Sequence, residues 1–333
     1  MMRATKQVVQ AAILGFGIPA LLLAFAMVFL FPEKNQENIL ETVPTIQTKP
    51  SSSAAPVHTV EISVLHEGVL ESMDLEEYIV GVVLAEMPAS FEMEALKAQA
   101  VASRTYALKT CLDAEKHAGA VCTSYQCCQS YMSAEAYLQR GWSEKSVDRV
   151  RKAVYETAGQ VLTYESQLIR ATYFACSGGC TEDAIEVWGK VYPYLLSVKS
   201  PGEEETVYFT DTKEFTLSDF QEALGTQLSD SPQTWFGSFT YTEGGGVDVV
   251  HIGGVPYRGT TLRALLGLRS TVFEVIVTED KIIFITKGYG HRVGMSQYGA
   301  DAMALEGSSY RQILQYYYQG TEIVTYNQYN SEK

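Results

Sequence analysis

The chain has 333 residues, of which 46% are apolar and 19% are charged, and its formal net charge is −14 at pH 7. This composition excludes wholesale disorder, and six cysteines are too few for a small disulfide-bonded scaffold. The acidic balance argues against nucleic acid as a partner, because binding to a phosphate backbone needs clustered lysine and arginine.

An uncharged apolar run at residues 11–31 follows Arg3 and Lys6. At about 1.5 Å per residue it spans roughly 30 Å, the thickness of a bilayer core. A cleaved secretory signal would have a shorter apolar part and a small-residue cleavage site. We therefore predict a cytoplasmic tail and transmembrane helix at 1–31, with the N-terminus in the cytoplasm and the remainder outside a cell membrane. Residues 32–60, rich in Pro, Ser, Thr and Gln, are predicted to be a flexible tether.

The globular part is predicted to begin near Val60 with an alternating strand, followed by a helix that Asp74 caps and Pro88 ends. Five residues of this helix recur at spacings of three and four and so form one stripe along it: Leu75, Ile79, Val82, Val83 and Glu86. Glu86 is the anomaly on this apolar stripe. A carboxyl group in apolar surroundings has a raised pKa and suits a general acid that acts on a glycosidic oxygen. The alternative is that Glu86 borders the stripe and is exposed or paired.

An alanine-rich helix is predicted from Glu92 to about Lys109. Lys97 and Arg104 are seven residues apart and share one of its faces. That face is either a solvated basic edge or a pair of donors that flank Glu86 across a helix–helix contact.

A histidine and three cysteines lie within twelve residues, at His117, Cys122, Cys127 and Cys128. Together they offer a complete tetrahedral ligand set for Zn²⁺, which favours a structural zinc over a catalytic one. The alternative is a disulfide between Cys122 and Cys127 or Cys128, which the compartment outside a membrane permits. The adjacent cysteines need a suitable turn if both are to bind one ion.

Two glycine-containing loops are the next polar features. Ser177, Gly178 and Gly179 follow a strand-like run, either as a tight turn or as a close backbone approach to a ligand. Cys176 and Cys180 flank these residues and are placed for a local disulfide. The second loop, Gly288–Ala300, follows an apolar strand and lacks the spacing of a phosphate-binding loop. Its polar residues suit sugar hydroxyls and its tyrosine suits a pyranose ring: His291, Ser296, Gln297 and Tyr298.

Between these loops, residues 191–285 alternate short strands, glycine turns and two helices. We predict an α+β fold with two lobes around a substrate cleft. Residues 61–190 and 286–333 would form a catalytic lobe, and 191–285 an inserted second lobe.

Three segments together resemble the stage II sporulation protein D family, which comprises membrane-anchored lytic transglycosylases of spore-forming bacteria. They are LEEYIVGVVLAEMPASFEMEALKAQAVASRTYAL, YFACSGGCTEDAIEVWG and GYGHRVGMSQYGADAMALEG. The resemblance covers about residues 60–325 and implies that Glu86 is the catalytic acid. It also implies that Lys97 and Arg104 hold sugar hydroxyls or the lactyl carboxylate, and that the loop with Tyr173 and Ser177 borders the substrate groove. Some members bind zinc in the cysteine segment, although Cys127 stands where their pattern has a histidine.

The resemblance further implies cleavage of the MurNAc–GlcNAc bond in peptidoglycan strands whose stem peptides have been removed. One carboxylate suffices there, because the muramic C6 hydroxyl is the nucleophile and a 1,6-anhydro sugar is the product. No metal is needed for that chemistry. The implied partners are a cell-wall amidase and membrane proteins of the engulfment machinery, at the septum between mother cell and forespore.

Two rival functions remain from the sequence. Related domains occur in amidase enhancers, so this domain could bind glycan and recruit an amidase without catalysis. A cysteine-dependent wall peptidase is the other, but the cysteines cluster as ligands or disulfide partners do, and no lone cysteine begins a helix.

Overall fold

The structure is a computed structural model that describes residues 60–114, 117–229 and 231–327. The predicted membrane anchor and all but the last residue of the predicted tether lie outside these ranges. Within them, no helix is both long and apolar enough to cross a bilayer.

The described residues form an α+β fold, as predicted. The helices are α1 Leu75–Glu86, α2 Met93–Asp113, α3 Ala134–Gln139, α4 Glu144–Glu156, α5 Ala184–Trp188, α6 Leu217–Leu224, α7 Gly259–Leu266, α8 Gln297–Leu305 and α9 Tyr310–Tyr317. The strands are β1 Glu61–His66, β2 Val69–Asp74, β3 Val121–Cys122, β4 Gln160–Tyr164, β5 Gln167–Leu168, β6 Tyr173–Phe174, β7 Thr210–Thr216, β8 Phe236–Tyr241, β9 Val247–Ile252, β10 Val255–Arg258, β11 Val272–Val277, β12 Lys281–Lys287, β13 Met295–Ser296 and β14 Glu322–Thr325.

The strands are divided among several small sheets. Their strand orders are β2-β1-β3, β14-β4-β5, β13-β6, β10-β9-β8 and β11-β12-β7. The two-stranded sheet matters most for the site, because its parallel register sets Met295 opposite Tyr173. It therefore joins two loops that are more than a hundred residues apart in sequence.

Helices α1 and α2 form the centre of the larger hydrophobic core, and α2 also packs against α4, α8 and α9. The Asp74 carboxylate accepts the backbone N–H groups of Glu76 and Glu77, so the predicted N-cap is confirmed. The predicted apolar positions of α1 are buried, but burial is not confined to one stripe, because residues 78–84 are buried on every face of the helix. Glu86 is the last residue of this buried helix, and Pro88 follows it as predicted.

A second, smaller core lies between α6, α7 and strands β7–β12. Several aromatic rings pack in it: Phe220 stacks on Trp235 at 6.2 Å between centroids, and Phe273 meets Phe284 edge-on at 5.5 Å. Its residues fall between Phe220 and Phe284, whereas Tyr194 and Leu195 pack in the larger core.

Candidate functional site

A cavity of about 780 Å³ is lined by side chains from elements that pack in the two hydrophobic cores, and its volume suits a small ligand or a few sugar rings. Glu86 lines it from α1 and Arg263 from α7. Among the described residues that line this cavity, Glu86 is the only carboxylate. The geometry therefore isolates one acidic group among aromatic, amide and basic side chains.

The carboxylate of Glu86 is half-buried and held in place. Its Oε1 accepts the backbone N–H of Ser130 at 2.7 Å. Burial raises the pKa of Glu86, while the hydrogen bond from Ser130 and the nearby amide of Gln297 act in the opposite direction. The net pKa is above that of an ordinary glutamate, which favours the protonated form that a general acid needs.

The loop that carries Ser130 lies directly on α1 because of one glycine. A Cβ atom added at Gly81 would come within 2.3 Å of the Tyr131 ring, so a larger residue would displace this loop. Met132 donates its N–H to the Gly81 carbonyl at 3.0 Å, and Tyr131 stacks on Tyr78 at 5.6 Å. These contacts place the Ser130 N–H at the end of α1, opposite Glu86.

Two more polar groups are positioned around the acid. Gln129 donates to the Tyr173 hydroxyl at 2.7 Å, and burial followed by the charge of Glu86 raises the pKa of Tyr173. Gln297 is 5% exposed, and its Nε2 has no hydrogen-bond partner although the residue lines the cavity. A buried amide donor without a partner is costly, so this N–H is available to a ligand.

His291 lines the same cavity between two aromatic rings. Its centroid lies 5.6 Å from that of Phe174 and 5.3 Å from that of Trp188. Burial, together with the nearby charge of Arg263, lowers the pKa of His291 to about 4. The imidazole is therefore neutral near pH 7, and its Nδ1 accepts the Val293 N–H at 3.1 Å.

Lys97 and Arg104 do share one face of α2, but that face does not meet Glu86. Arg104 is fully buried, and its Nε donates to Glu76 at 3.0 Å. Lys97 pairs with Glu94 and with Glu156 at 2.9 and 2.8 Å. The expectation that they flank the acid is corrected: α4 and the start of β4 cover this face, and neither side chain lines the cavity.

Ser177, Gly178 and Ser296 also lie outside the cavity lining, because all three surround the buried Glu203. Its Oε2 accepts the Ser177 hydroxyl at 2.6 Å and the Gly178 N–H at 3.0 Å, and its Oε1 accepts the Ser296 hydroxyl. Gly178 has φ +74°, and a Cβ there would lie 2.8 Å from the Gly288 nitrogen. Gly178 thus brings two backbones together and not a backbone and a ligand.

The remaining loop residues have structural contacts of the same kind. Gly179 donates its N–H to the Ser177 hydroxyl, and Tyr298 packs edge-on against Phe91 at 4.9 Å. The disulfide suggested for Cys176 and Cys180 is not formed. Their sulfur atoms contact Glu203 and Ser197 respectively. Of the predicted sugar-binding residues, the cavity lining includes Tyr173, His291 and Gln297.

The four predicted metal ligands come together. The donor atoms of His117, Cys122, Cys127 and Cys128 all lie within 4.8 Å of one another. His117 Nε2 is 3.2 Å from the Cys127 sulfur, which is 4.0 Å from that of Cys128. Both cysteines donate their N–H groups to the Ser124 carbonyl, and this turn brings the adjacent thiols to one side. Ligand atoms around tetrahedral zinc are about 3.5–3.8 Å apart, so the donor set fits that ion.

Several lining residues were missed from the sequence. They are Tyr106, Tyr125, Gln129, Ser130, Arg170, Trp188, Lys190, Tyr192, Arg263 and Tyr289. Gln129 and Ser130 directly follow the adjacent cysteines, and their position next to the predicted metal loop could have indicated that they line the site. Nothing in the sequence around Arg263 indicated that it would line the site, since it lies in an ordinary amphipathic helix.

Comparisons with known proteins find relatives over most of the chain. Residues 66–164 match the family model SpoIID, described as "Stage II sporulation protein". The chain is 40% identical over 291 residues to Stage II sporulation protein D of Bacillus subtilis (strain 168), which covers 84% of each chain. Its identity to the Bacillus amyloliquefaciens protein of the same name is also 40%, over 76% of this chain and 75% of that one.

A third relative, an Amidase enhancer of Bacillus subtilis (strain 168), is 31% identical over 74% of this chain and 40% of its own length. The similarity to it concerns less than half of that longer protein. The matches to the two sporulation proteins extend over three quarters or more of each chain, and on that basis this protein belongs to the stage II sporulation protein D family of sporulation proteins.

Proposed function

We propose that this protein is a lytic transglycosylase that cleaves peptidoglycan glycan strands from which the stem peptides have been removed. It acts from the outer face of a membrane at the septum between mother cell and forespore, together with a cell-wall amidase. The observation that carries the proposal is the placement of Glu86. It is half-buried, its pKa is raised, and it is the only carboxylate among the described residues that line the cavity.

The reaction needs one proton carrier. Protonated Glu86 donates its proton to the glycosidic oxygen as the bond from that oxygen to C1 of the muramic ring breaks. The C6 hydroxyl oxygen of the same ring then bonds to C1, and its proton returns to Glu86. No water is consumed, and the product ends in a 1,6-anhydro sugar. Ordinary glycoside hydrolysis uses a second carboxylate, and none lines this cavity among the described residues.

The neighbours of Glu86 support this role. The Ser130 N–H orients the carboxyl group, and the unpartnered amide of Gln297 is available to a sugar oxygen. Exposed rings at Tyr125 and Trp188 offer flat faces for pyranose rings along the same cavity.

The test is product analysis with the full-length protein and peptide-free glycan strands. Wild type should release fragments with 1,6-anhydro ends, and Glu86→Gln should reduce their rate by at least about 100-fold. Glu77→Gln is the matched control, since Glu77 lies on the same helix and contacts Tyr155 and Arg151 outside the cavity. It should retain wild-type activity.

Equal product release by wild type and Glu86→Gln would overturn the assignment. Release of no product by wild type, with tight glycan binding and stimulation of an amidase, would favour a non-catalytic activator. The similarity to an Amidase enhancer is the observation on which that second function rests.

We also propose that His117, Cys122, Cys127 and Cys128 bind a structural Zn²⁺. The compactness of the four donor atoms supports this assignment. Such an ion, when bound, supplies no step of the reaction. Its effect is to hold the turn that leads into Gln129 and Ser130, and so to hold the donors beside Tyr173 and Glu86.

A further inference from the structure

The cavity wall carries an excess of positive charge, although the whole chain has a net charge of −14. Its cations are Arg170, Lys190 and Arg263, against the single carboxylate of Glu86. Arg170 pairs with Asp113 at 3.4 Å. Lys190 and Arg263 have no carboxylate partner among the described residues, so two positive charges in the cavity are available to a ligand.

Arg263 is the better defined of the two. It is half-buried on α7, and its Nε donates to the Arg269 carbonyl at 3.1 Å. The same carbonyl accepts the Gly290 N–H at 3.0 Å, which ties the arginine to the loop that carries His291. Within the described chain, both terminal nitrogens of the Arg263 guanidinium lack a hydrogen-bond partner. A guanidinium fixed at one nitrogen and open at its other end suits a bidentate carboxylate.

Aromatic rings next to this group suit a sugar. Trp188 and Tyr289 line the cavity and are 38% and 42% exposed. His291 contacts Trp188 and is neutral, so it neither repels a cation nor neutralises an anion there. A guanidinium beside an exposed indole ring has the chemistry of a site for an acidic sugar.

We infer that Arg263 binds the free carboxylate of an acidic sugar while Glu86 acts on the strand in the same cavity. This inference rests on the proposed function. In peptidoglycan that carboxylate is the lactyl group of muramic acid, which is an anion when the stem peptide is absent and a neutral amide when it is attached. Arg263 is thereby a specificity-determining residue for peptide-free strands, and it binds the lactyl carboxylate that the resemblance assigned to Lys97 and Arg104 as one possible ligand.

The test compares two substrates with the full-length protein: peptide-free strands with free lactyl carboxylates, and the same strands converted to neutral methylamides. Wild type should prefer the free acid by about 10–100-fold in kcat/KM, the range of one charge-assisted hydrogen-bonded pair. Arg263→Gln should abolish this preference through a raised KM for the free acid, with kcat little changed. Arg263→Lys should retain part of it.

Arg258→Gln is the matched control. Arg258 precedes α7, donates to one backbone carbonyl as Arg263 does, and lies outside the cavity lining. It should keep the full preference. No preference in wild type, or a preference that survives Arg263→Gln, would overturn the inference.

Binding separates this inference from the proposed reaction. In a Glu86→Gln background, the free-acid strand should bind about 10–100-fold more tightly than the methylamide, and adding Arg263→Gln should equalise the two. Such a result without anhydro products from wild type would retain the site and reject the reaction. Anhydro products together with equal binding of both strands would retain the reaction and reject the carboxylate site. Polyglycerol phosphate serves as a competing anion. If it displaces the bound free-acid strand as effectively as unlabelled free-acid strand does, the cavity is a general anion site and the carboxylate assignment is overturned.

Discussion

At the scale of single residues, the environment of Glu86 combines two opposing effects. Burial disfavours its charged form, and the Ser130 N–H favours it. Burial dominates, because the resulting pKa is above that of an ordinary glutamate. A group that is easier to keep protonated in the folded protein than in the unfolded chain links folding to pH.

We expect Glu86→Gln to gain stability relative to wild type as the pH rises. With a raised folded-state pKa, the contribution of Glu86 is fully present below its unfolded pKa and is lost as the pH rises through the folded value. The neutral amide does not ionise, so it does not lose this contribution. Urea unfolding of both proteins at about pH 4 and pH 8 measures the difference, which should shift in favour of the variant at the higher pH.

Glu156→Gln is the control for the direction in which stability changes with pH. Its hydrogen bond with Lys97 lowers the pKa of Glu156, so wild type should gain on this variant as the pH rises. Both variants shifting in the same direction would contradict the environments described for the two carboxylates.

At the scale of elements, the cysteine loop connects the proposed metal site to Glu86. The turn at Ser124 aligns Cys127 and Cys128, and the chain then passes directly to Gln129 and Ser130. A single β-turn therefore serves both the ligand cluster and the cavity.

Removal of zinc is expected to lower both stability and activity. Free zinc at about 100 times its dissociation constant stabilises the fold by about 2.7 kcal/mol, which corresponds to about 5–10 °C in melting temperature. Elemental analysis should find one zinc per chain in wild type and none in Cys122→Ser.

Cys111→Ser is the matched control for that measurement. Cys111 lies in the same region but outside the four-residue cluster, so this variant should retain the metal. Wild type that contains only traces of zinc and melts identically with and without a chelator would contradict the proposed site.

At the scale of the whole molecule, one ion pair joins loops from three parts of the chain. Arg292 donates to Glu182 at 3.0 Å, and both residues are 1% exposed. The guanidinium also donates to the Ser177, Cys180 and Gly244 carbonyls. Gly244 lies in the turn between β8 and β9, so the pair connects the smaller core to the loops beside the cavity.

Breaking this pair is expected to be strongly destabilising. Glu182→Gln or Arg292→Met alone should lower the free energy of unfolding by about 3–5 kcal/mol, because each leaves a buried polar group uncompensated. The double variant should lose less than the sum of the two. Urea denaturation of the four proteins gives the coupling energy, and soluble yield reports any variant that fails to fold. Additive effects would show that the residues act independently.

The ion pair was not predictable from sequence in the way that local features were. Asp74 as a cap and Pro88 as a helix end follow from neighbours within four residues, and both hold. Arg292 adopts φ +66°, a conformation that its own sequence does not favour and that its partners at Glu182 and Gly244 maintain.

By itself, the sequence determined the α+β class, the helix that ends at Glu86 and the cysteine–histidine cluster, because these depend on residues close together in the chain. Tertiary structure alone decided which charges face the acid. Lys97 and Arg104 occupy the predicted helix face, but α4 and β4 cover that face and supply their partners. Arg263 reaches the cavity from a helix nearly two hundred residues away. Helical periodicity sets the face of a side chain, whereas the packing of distant elements sets what that face meets.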